Sequence, residues 1–424
     1  MNLSTIPVVR LVIQQLLKYG VHHVVISPGS RNAPITVGLT THKAFKAYSI
    51  VDERSAGFFG LGLSQQLGKP VALLCTSGSA LLNIYPAVSE AYYSRYPLLV
   101  LSADRPTYQI DIGTGQTIKQ SGVFLKHLIS ECSLLQDITH NRTAIIESNT
   151  QQMLDEKLTL QEVESQQKTI EKNNTKFLQK VLSEMLFHQG PVHVNIPLEE
   201  PLYDFNDHND LVVEQVKQPN NPKPKNLESV QSKWNESKRI LVLVGTLSPD
   251  VLDTKTISVL AQDPRVVVLH EVTSNLHNDN FIAHIDRVIL PIEKHKNSQE
   301  IFQSFAPDLL ITIGGMVVSK KIKSLLRSYK GVLHYHIGTD RALDTYYLGV
   351  QHLQVDPNTF FNNLASSSDP KANYQDQWIQ LSRQREIAHK NFLANAPFSD
   401  LLIFDKIMRA IPKNYLLQWA NRNQ

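Results

Sequence analysis

Thiols are scarce in this 424-residue chain: Cys75 and Cys132 are the only cysteines. Two cysteines cannot build a four-thiolate zinc site or a disulfide framework. Neither sign of charge dominates, since 42 Lys+Arg against 39 Asp+Glu leaves 42 − 39 = +3. No nucleic-acid partner is expected from that balance. No apolar run approaches the roughly 20 residues of a membrane span. The N-terminal stretch is interrupted by Arg10, Gln14 and Gln15, so it reads as an amphipathic helix and not as a signal-peptide core. A soluble, cytoplasmic protein is expected. Several signatures are missing too. There is no phosphate-loop Gly-x-x-x-x-Gly-Lys-Ser/Thr, and Gly113-Thr-Gly-Gln116 lacks the third glycine of a dinucleotide fingerprint. Ser77 has no Gly-x-Ser-x-Gly elbow around it, which argues against a hydrolase. His270 and His277 flank Glu271 at a spacing that fits no metal motif, so no metal ligand is assigned.

What is present is globular: 42% hydrophobic and 19% charged residues. Short apolar runs alternate with amphipathic stretches. In the first region the predicted strands are 21–26, 47–51, 71–75, 97–102 and 190–197, with helices through Phe58 to Leu63 and over 81–93. The polar stretch 139–176 is a helical excursion or a surface insertion. In the second region the predicted strands are 240–244, 266–270, 287–290, 309–313 and 332–337. Runs apolar throughout suit strands buried on both faces, and their alternation with helices predicts parallel sheets. The fold class is therefore α/β, with two doubly wound, Rossmann-like three-layer domains. The expected divisions are 1–203, a linker over 204–238, 239–360 and a remainder over 361–424. The linker centres on 218–225, whose apolar residues are three prolines. The remainder has a predicted helix over 375–392, an N-capped helix from Ser399, and a strand-like run from Asn414 to Trp419.

Four segments follow predicted strands, where doubly wound sheets bind ligands. In Ser27-Pro-Gly-Ser-Arg31, proline and glycine shape a tight turn that presents Ser30 and Arg31 at its tip. Arginine suits carboxylate or phosphate; the alternative is a plain turn with a solvated arginine. Asp52 and Glu53 lie between a strand and an apolar helix, as a carboxylate with a shifted pKa or as an acidic helix N-terminus. Cys75-Thr-Ser-Gly-Ser79 offers small residues that let a ligand approach, or a helix capped by Thr76 or Ser77; Cys75 reads as a core residue. Arg105 is a second anion-binding candidate, or pairs with Asp104 or Asp111. In the second region, Lys320 and Lys321 follow Gly314-Gly315, as an anion contact or a solvated helix face.

Taken in order, Ser27-Pro-Gly-Ser-Arg31, Asp52-Glu-Arg-Ser-Ala-Gly-Phe58, Thr76-Ser-Gly-Ser-Ala-Leu-Leu-Asn83, Ala103-Asp-Arg-Pro106, Gly115-Gln-Thr-Ile-Lys-Gln120 and Gly190-Pro-Val-His-Val-Asn-Ile-Pro197 resemble the thiamine diphosphate-dependent enzymes. Within them the chain is most similar to the 2-succinyl-5-enolpyruvyl-6-hydroxy-3-cyclohexene-1-carboxylate synthases, transferases of menaquinone biosynthesis. The match is close over 1–138 and 176–203 and looser through the second region. The resemblance implies a pyrimidine-binding first domain, a middle domain, and a remnant of a diphosphate-binding domain at 361–424. It places Glu53 against N1′ of the cofactor aminopyrimidine, where it favours the imino tautomer. Pro28, Gly29, Thr76, Ser77, Gly78 and Asn83 would line the aminopyrimidine pocket. The implied reaction is decarboxylation of 2-oxoglutarate and addition of the succinyl carbanion to isochorismate. Both substrates are dicarboxylates, for which the family pattern implies Ser30, Arg31, Arg105, Gln116, Lys320 and Lys321.

Thiamine diphosphate and Mg²⁺ are the implied cofactors, and a homo-oligomeric dimer or tetramer the implied assembly. The family's Gly-Asp-Gly motif, with an asparagine some 25–30 residues later that helps hold Mg²⁺ and diphosphate, is not found in this sequence. The expectation is therefore a truncated synthase, inactive alone, with the third domain missing. Two alternatives stay open: a split enzyme whose partner chain supplies that half-site, or a non-catalytic binding protein that kept the fold.

Overall fold

The computed structural model describes residues 2–148, 154–207, 227–339, 341–364, 372–412, 415 and 417. The chain divides into two compact units, Met1–Asn220 and Asn221–Gln424. Each is described by itself.

The first unit begins with the short strand β1 (Asn2–Ser4) and the helix Pro7–Lys18. Six parallel strands follow: β2 (His23–Ile26), β3 (Lys46–Ser49), β4 (Val71–Cys75), β5 (Leu98–Asp104), β6 (Ser130–Ser133) and β7 (Val192–Pro197). Their order is β3-β2-β4-β5-β7-β6. A last short strand, β8 (Phe205–Asp207), pairs antiparallel with β1. Successive side chains point to opposite faces of the sheet. Val24, Ile26, Leu74 and Leu101 therefore enter one core with the helices Pro7–Lys18 and Leu160–His188. Val25, Leu73, Cys75 and Val100 enter a second core beneath Glu53–Leu67 and Tyr85–Ser94. This is the three-layer arrangement that runs without polar alternation predict.

The second unit repeats the plan with β9 (Ile240–Val244), β10 (Val266–His270), β11 (Phe281–Ile282), β12 (Leu309–Ile313), β13 (Leu333–Ile337) and β14 (Gln351–Leu353). All are parallel, in the order β11-β10-β9-β12-β13-β14. Its sheet also has a buried core on each face.

Several expectations are corrected. Residues 287–290 lie in a helix, Ile285–Glu293. Ile285, Val288, Ile289 and Ile292 are its buried residues, a helical spacing that the strand reading missed. The helix expected over 81–93 is two helices, Ser79–Asn83 and Tyr85–Ser94, with a proline in the first turn of the second. The second strand sits at 46–49, at the sheet edge, and is mostly exposed. β6, β11 and β14 were not anticipated; they are short strands at or beside sheet edges. The stretch 139–176 contains a short helix, Arg142–Glu147, and most of the long helix Leu160–His188, which starts from a Thr159–Glu162 capping box. Of the expected linker 204–238, the described parts form β8 and the helix Leu227–Glu236. Val230 and Trp234 of that helix are buried in the second unit; 218–225 lie outside the described residues. From 361–424, Phe361, Tyr374 and Trp378 enter the second unit's cores, while the helix Asp400–Ala410 buries no residue. Of 414–419 only Tyr415 and Leu417 are described, and neither is in a strand.

The helix Pro7–Lys18 has Ile6 at its N-cap, a residue with no side-chain acceptor. Asp137 does the capping from afar: Oδ2 accepts the Val8 N–H at 2.8 Å and Oδ1 accepts from Gln167 Nε2 at 2.7 Å. Burial pushes Asp137 up to about 6, against these hydrogen bonds.

Candidate functional site

The strand order reverses between β2 and β4 in the first unit and between β9 and β12 in the second. Ligands bind doubly wound sheets in that crevice, beyond the carboxyl ends of the strands. In the first unit the loops after β2 and β4 meet there. A Cβ on Gly29 would lie 2.5 Å from Thr76 Cβ, so only glycine allows this approach. Asn32 Nδ2 donates to Ser27 O at 2.9 Å and closes the turn from within. Pro28 and Ser30 are exposed on its outer side.

The loop after β4 turns at Gly78, with φ +85°. Gly78 also passes close to the 105–120 loop, since its Cβ would be 3.1 Å from Gln116 O. Neither Thr76 nor Ser77 caps the following helix: the N-cap is Gly78, without a side-chain bond. Ser77 is 2% exposed, and its Oγ is buried with no partner among the described residues. Such an orphan is uncommon in a folded chain and calls for an explanation.

Asp52 is the N-cap of the helix Glu53–Leu67, accepting from Ser55 N at 2.7 Å, and this bond lowers its pKa. That leaves Glu53, in the first turn, free for another task. Half-buried, it accepts from Asn83 Nδ2 at 3.3 Å. Burial pushes the Cys75 thiol up, and the nearby Glu53 carboxylate adds to the shift. Glu53 thus lies by the end of β4. Gly57 makes room for this, since its Cβ would come within 2.9 Å of Ala87 Cβ on the helix Tyr85–Ser94.

Arg105, half-buried, follows β5. Its backbone N–H donates to Asp104 Oδ1 at 2.8 Å and its guanidinium to Gly115 O at 3.3 Å. Neither expected ion pair forms: Asp111 is taken by Lys119 at 2.8 Å. Beside Arg105 is a cleft of about 240 Å³, lined in part by Asp104, Ile118, Leu134 and Asn195. Gln116 is exposed at its loop tip with φ +56°.

Two placements are corrected. Arg31 is not presented at a tip; it is 4% exposed, donating to Leu198 O at 3.1 Å and to Glu200 Oε1 at 2.9 Å. Burial and the neighbouring Arg105 charge both lower its pKa. In the second unit, the N-terminus of the helix Lys320–Ser328 is already filled. Glu271 accepts from Val318 N at 2.7 Å and Ser319 N at 2.6 Å. Lys321 pairs with Glu293 at 2.5 Å, and Lys320 is exposed. Gln120 and Asn195 had no assigned role, although both lie in the motifs that carry the resemblance.

Comparisons with known proteins place the chain in a family. A family model described as "Thiamine pyrophosphate enzyme, N-terminal TPP binding domain" matches residues 6–123. The chain is 42% identical over 425 residues to a 2-succinyl-5-enolpyruvyl-6-hydroxy-3-cyclohexene-1-carboxylate synthase of Christiangramia forsetii, covering 99% of this chain and 71% of that protein. The protein of the same name from Flavobacterium psychrophilum is 41% identical, with 98% and 69% covered. This chain belongs to the 2-succinyl-5-enolpyruvyl-6-hydroxy-3-cyclohexene-1-carboxylate synthase family. As a member of that synthase family it is an enzyme of the transferase class. The synthase chain also resembles the solved structure of a putative thiamin diphosphate-dependent enzyme from Mycobacterium smegmatis, with a TM-score of 0.57 at 14% identity, covering 86% of this chain and 64% of that one. At that identity the likeness speaks for the fold alone.

Proposed function

We propose that the β2/β4 crevice takes the aminopyrimidine of thiamine diphosphate, and that the chain acts in menaquinone biosynthesis on 2-oxoglutarate and isochorismate. The observation that carries this reading is Glu53, relieved of capping by Asp52 and held by Asn83 beside the end of β4. The orphaned Ser77 hydroxyl and the glycine-lined approach at Gly29 and Gly78 suit a flat, polar heterocycle. When bound, thiamine diphosphate supplies an electron sink for decarboxylating a 2-oxo acid and transferring the fragment that remains.

The chain's own residues then have separable tasks. Glu53 holds a proton at N1′ of the pyrimidine, and Asn83 orients its carboxylate. Pro28, Gly29, Thr76, Ser77 and Gly78 shape the pocket wall. Arg105, Ser30 and Gln116 face solvent to different degrees and hold substrate carboxylates. Arg31 acts from beneath, tying the Ser30 loop to Leu198 and Glu200. In the second unit Lys320 is the exposed cation offered to a carboxylate, because Lys321 is engaged by Glu293. Mg²⁺ is not fitted by the described residues, among which no group of three or more His, Cys, Asp or Glu could hold a metal ion. No step is drawn through it. A homo-oligomer working in the cytoplasm belongs to the same proposal. Among the described residues no helix is long and apolar enough to cross a membrane.

The deciding experiment is Glu53→Gln. Assayed in an enzyme completed with the family's diphosphate-binding domain, the rate of 2-oxoglutarate decarboxylation should fall by about 10²–10⁴-fold, the range for losing a positioned proton-transfer group. Affinity for thiamine diphosphate should change far less. An unchanged rate would remove Glu53 from the chemistry.

A further inference from the structure

A buried polar chain runs from the Gly78 turn to the end of β5, and its direction can be worked out. Gly78 N donates to Gln120 Oε1 at 2.8 Å. The Gln120 amide group must therefore point the other way, and Nε2 donates to Asn195 Oδ1 at 2.7 Å and toward Ala103 O at 3.3 Å. Asn195 Nδ2 then donates to Asp104 Oδ2 at 2.8 Å. Asp104 Oδ1 accepts the Arg105 backbone N–H at 2.8 Å. Asn195 Oδ1 also accepts from Ser102 Oγ at 2.8 Å. The single hydroxyl proton of Ser102 is then used, so its 2.7 Å contact with His193 Nε2 has the ring nitrogen as donor. Gln120, Ser102 and His193 are at most 1% exposed, and Asn195 and Asp104 are 7% and 5% exposed. Each amide has one orientation compatible with both its neighbours, and a network so directed fixes one geometry, although His193 Nδ1 at its end has no hydrogen-bond partner among the described residues.

We infer that Gln120 is a positioning residue for the cofactor pocket: its side-chain amide clamps the Gly78 turn to Asn195 and Asp104, and so sets where the pocket wall stands relative to Arg105. The inference rests on the proposed binding of thiamine diphosphate at this crevice. Gln120 is 1% exposed and its amide is engaged by Gly78 and Asn195, while the residue also borders the cleft beside Arg105. It holds the backbone at φ +85°, where an added Cβ would lie 3.1 Å from Gln116 O, a conformation that the local sequence alone does not hold rigidly.

The test uses the purified chain with Gln120→Met, close in volume but without either hydrogen-bonding end, and Gln120→Glu, which keeps the acceptor for Gly78. Amide exchange is followed on the peptide containing Gly78, and the Kd for thiamine diphosphate with Mg²⁺ is measured in parallel. Gln120→Met should lose protection at Gly78 and weaken cofactor binding at least tenfold, whereas Gln120→Glu, which can still accept from Gly78 but has no N–H for Asn195 Oδ1, should lose less of both. Retained protection at Gly78 in Gln120→Met would overturn the clamp. Lost protection with wild-type affinity would overturn its role in the pocket. Asn83→Ala and Gly29→Ala are titrated alongside. If they weaken binding and Gln120→Met does not, the inference alone fails; if no variant weakens it, the crevice is not the cofactor site and both readings fail. Should Gln120→Met not fold, Gln120→Glu decides: lost protection at Gly78 with wild-type affinity would equally overturn it.

Discussion

The two units carry nearly the same sheet, yet the loops of one crevice, the sealed one, are laced together by hydrogen bonds, and those of the other, the open one, meet at a glycine. At the β2/β4 crevice Gly29 closes on Thr76, and the buried Ser77 hydroxyl has no partner among the described residues. At the β9/β12 crevice the loops are stitched together. Gly315 N donates to Thr246 O at 2.8 Å, Thr246 Oγ1 donates to Met316 O at 3.1 Å, and Leu247 N donates to Thr273 O at 3.1 Å. Glu271 then occupies the helix N-terminus that an anion would otherwise take. A doubly wound sheet thus specifies where a ligand can bind and leaves to a few loop residues whether one does.

The strongest way to break this contrast is at its glycines. A Cβ on Gly245 would lie 1.9 Å from Gly315 O, a backbone atom that cannot move without undoing the stitching. Gly245→Ala should destabilise the second unit by about 3 kcal/mol or more, at the upper end of overpacking costs. Gly29→Ala meets a threonine side chain in an open crevice and should cost about half as much, while weakening cofactor binding. Denaturant unfolding of both variants checks the order. Equal losses would mean that the two crevices are equally closed.

Buried carboxylates give a second contrast. Asp263 in the second unit is gripped by Arg265, at 2.7 Å through Nη2 and 3.0 Å through Nε. Asp137 in the first is buried among neutral donors and raised from 3.8 to about 6. A carboxyl group whose pKa is raised on folding stabilises most when protonated. Its contribution is full below about pH 4 and is lost as pH rises through about 6. A rise of that size corresponds to about 3 kcal/mol. The stability difference between the wild type and Asp137→Asn should therefore move by about that amount, against the wild type, from pH 4 to pH 7. A difference independent of pH would show that Asp137 titrates alike in folded and unfolded chains.

The open crevice was legible in the sequence because its parts are turn residues following apolar strands. Pro28-Gly29, Thr76-Ser77-Gly78 and Glu53 all announce themselves by position. The sealed one was not. Glu271 is a single acidic residue after β10, and nothing local says that its carboxylate reaches residues 318 and 319. Arg31 failed for the same reason, since its partner Glu200 is 169 positions away. Local periodicity also has a floor. Ser130–Ser133 and Gln351–Leu353 pair in their sheets without an apolar run to mark them. Residues 287–290 were read as a strand because β-branched Val288 and Ile289 lie side by side there, although Ile285, Val288, Ile289 and Ile292 follow a helical spacing. Gln120 and Asn195 were visible as motif members, but their role depends on hydrogen-bond direction, which only the assembled loops supply.

The mildest test asks whether Glu271 alone closes the second crevice. Glu271→Ala frees two backbone N–H groups at the start of a nine-residue helix. The lost cap should cost about 1–2 kcal/mol. The freed donors should then recruit an anion, as helix N-termini do. Asp286, bonded to the Ser319 hydroxyl, remains nearby and opposes a second negative charge, so the gain must be small. At about 20 mM sulfate, against sodium chloride of matched ionic strength, the variant should melt a degree or two higher while the wild type stays put, the mass-action signature of a ligand that binds only the folded state. A wild type stabilised just as much would mean that Glu271 never filled the site, and that the two crevices differ only in how their loops are laced.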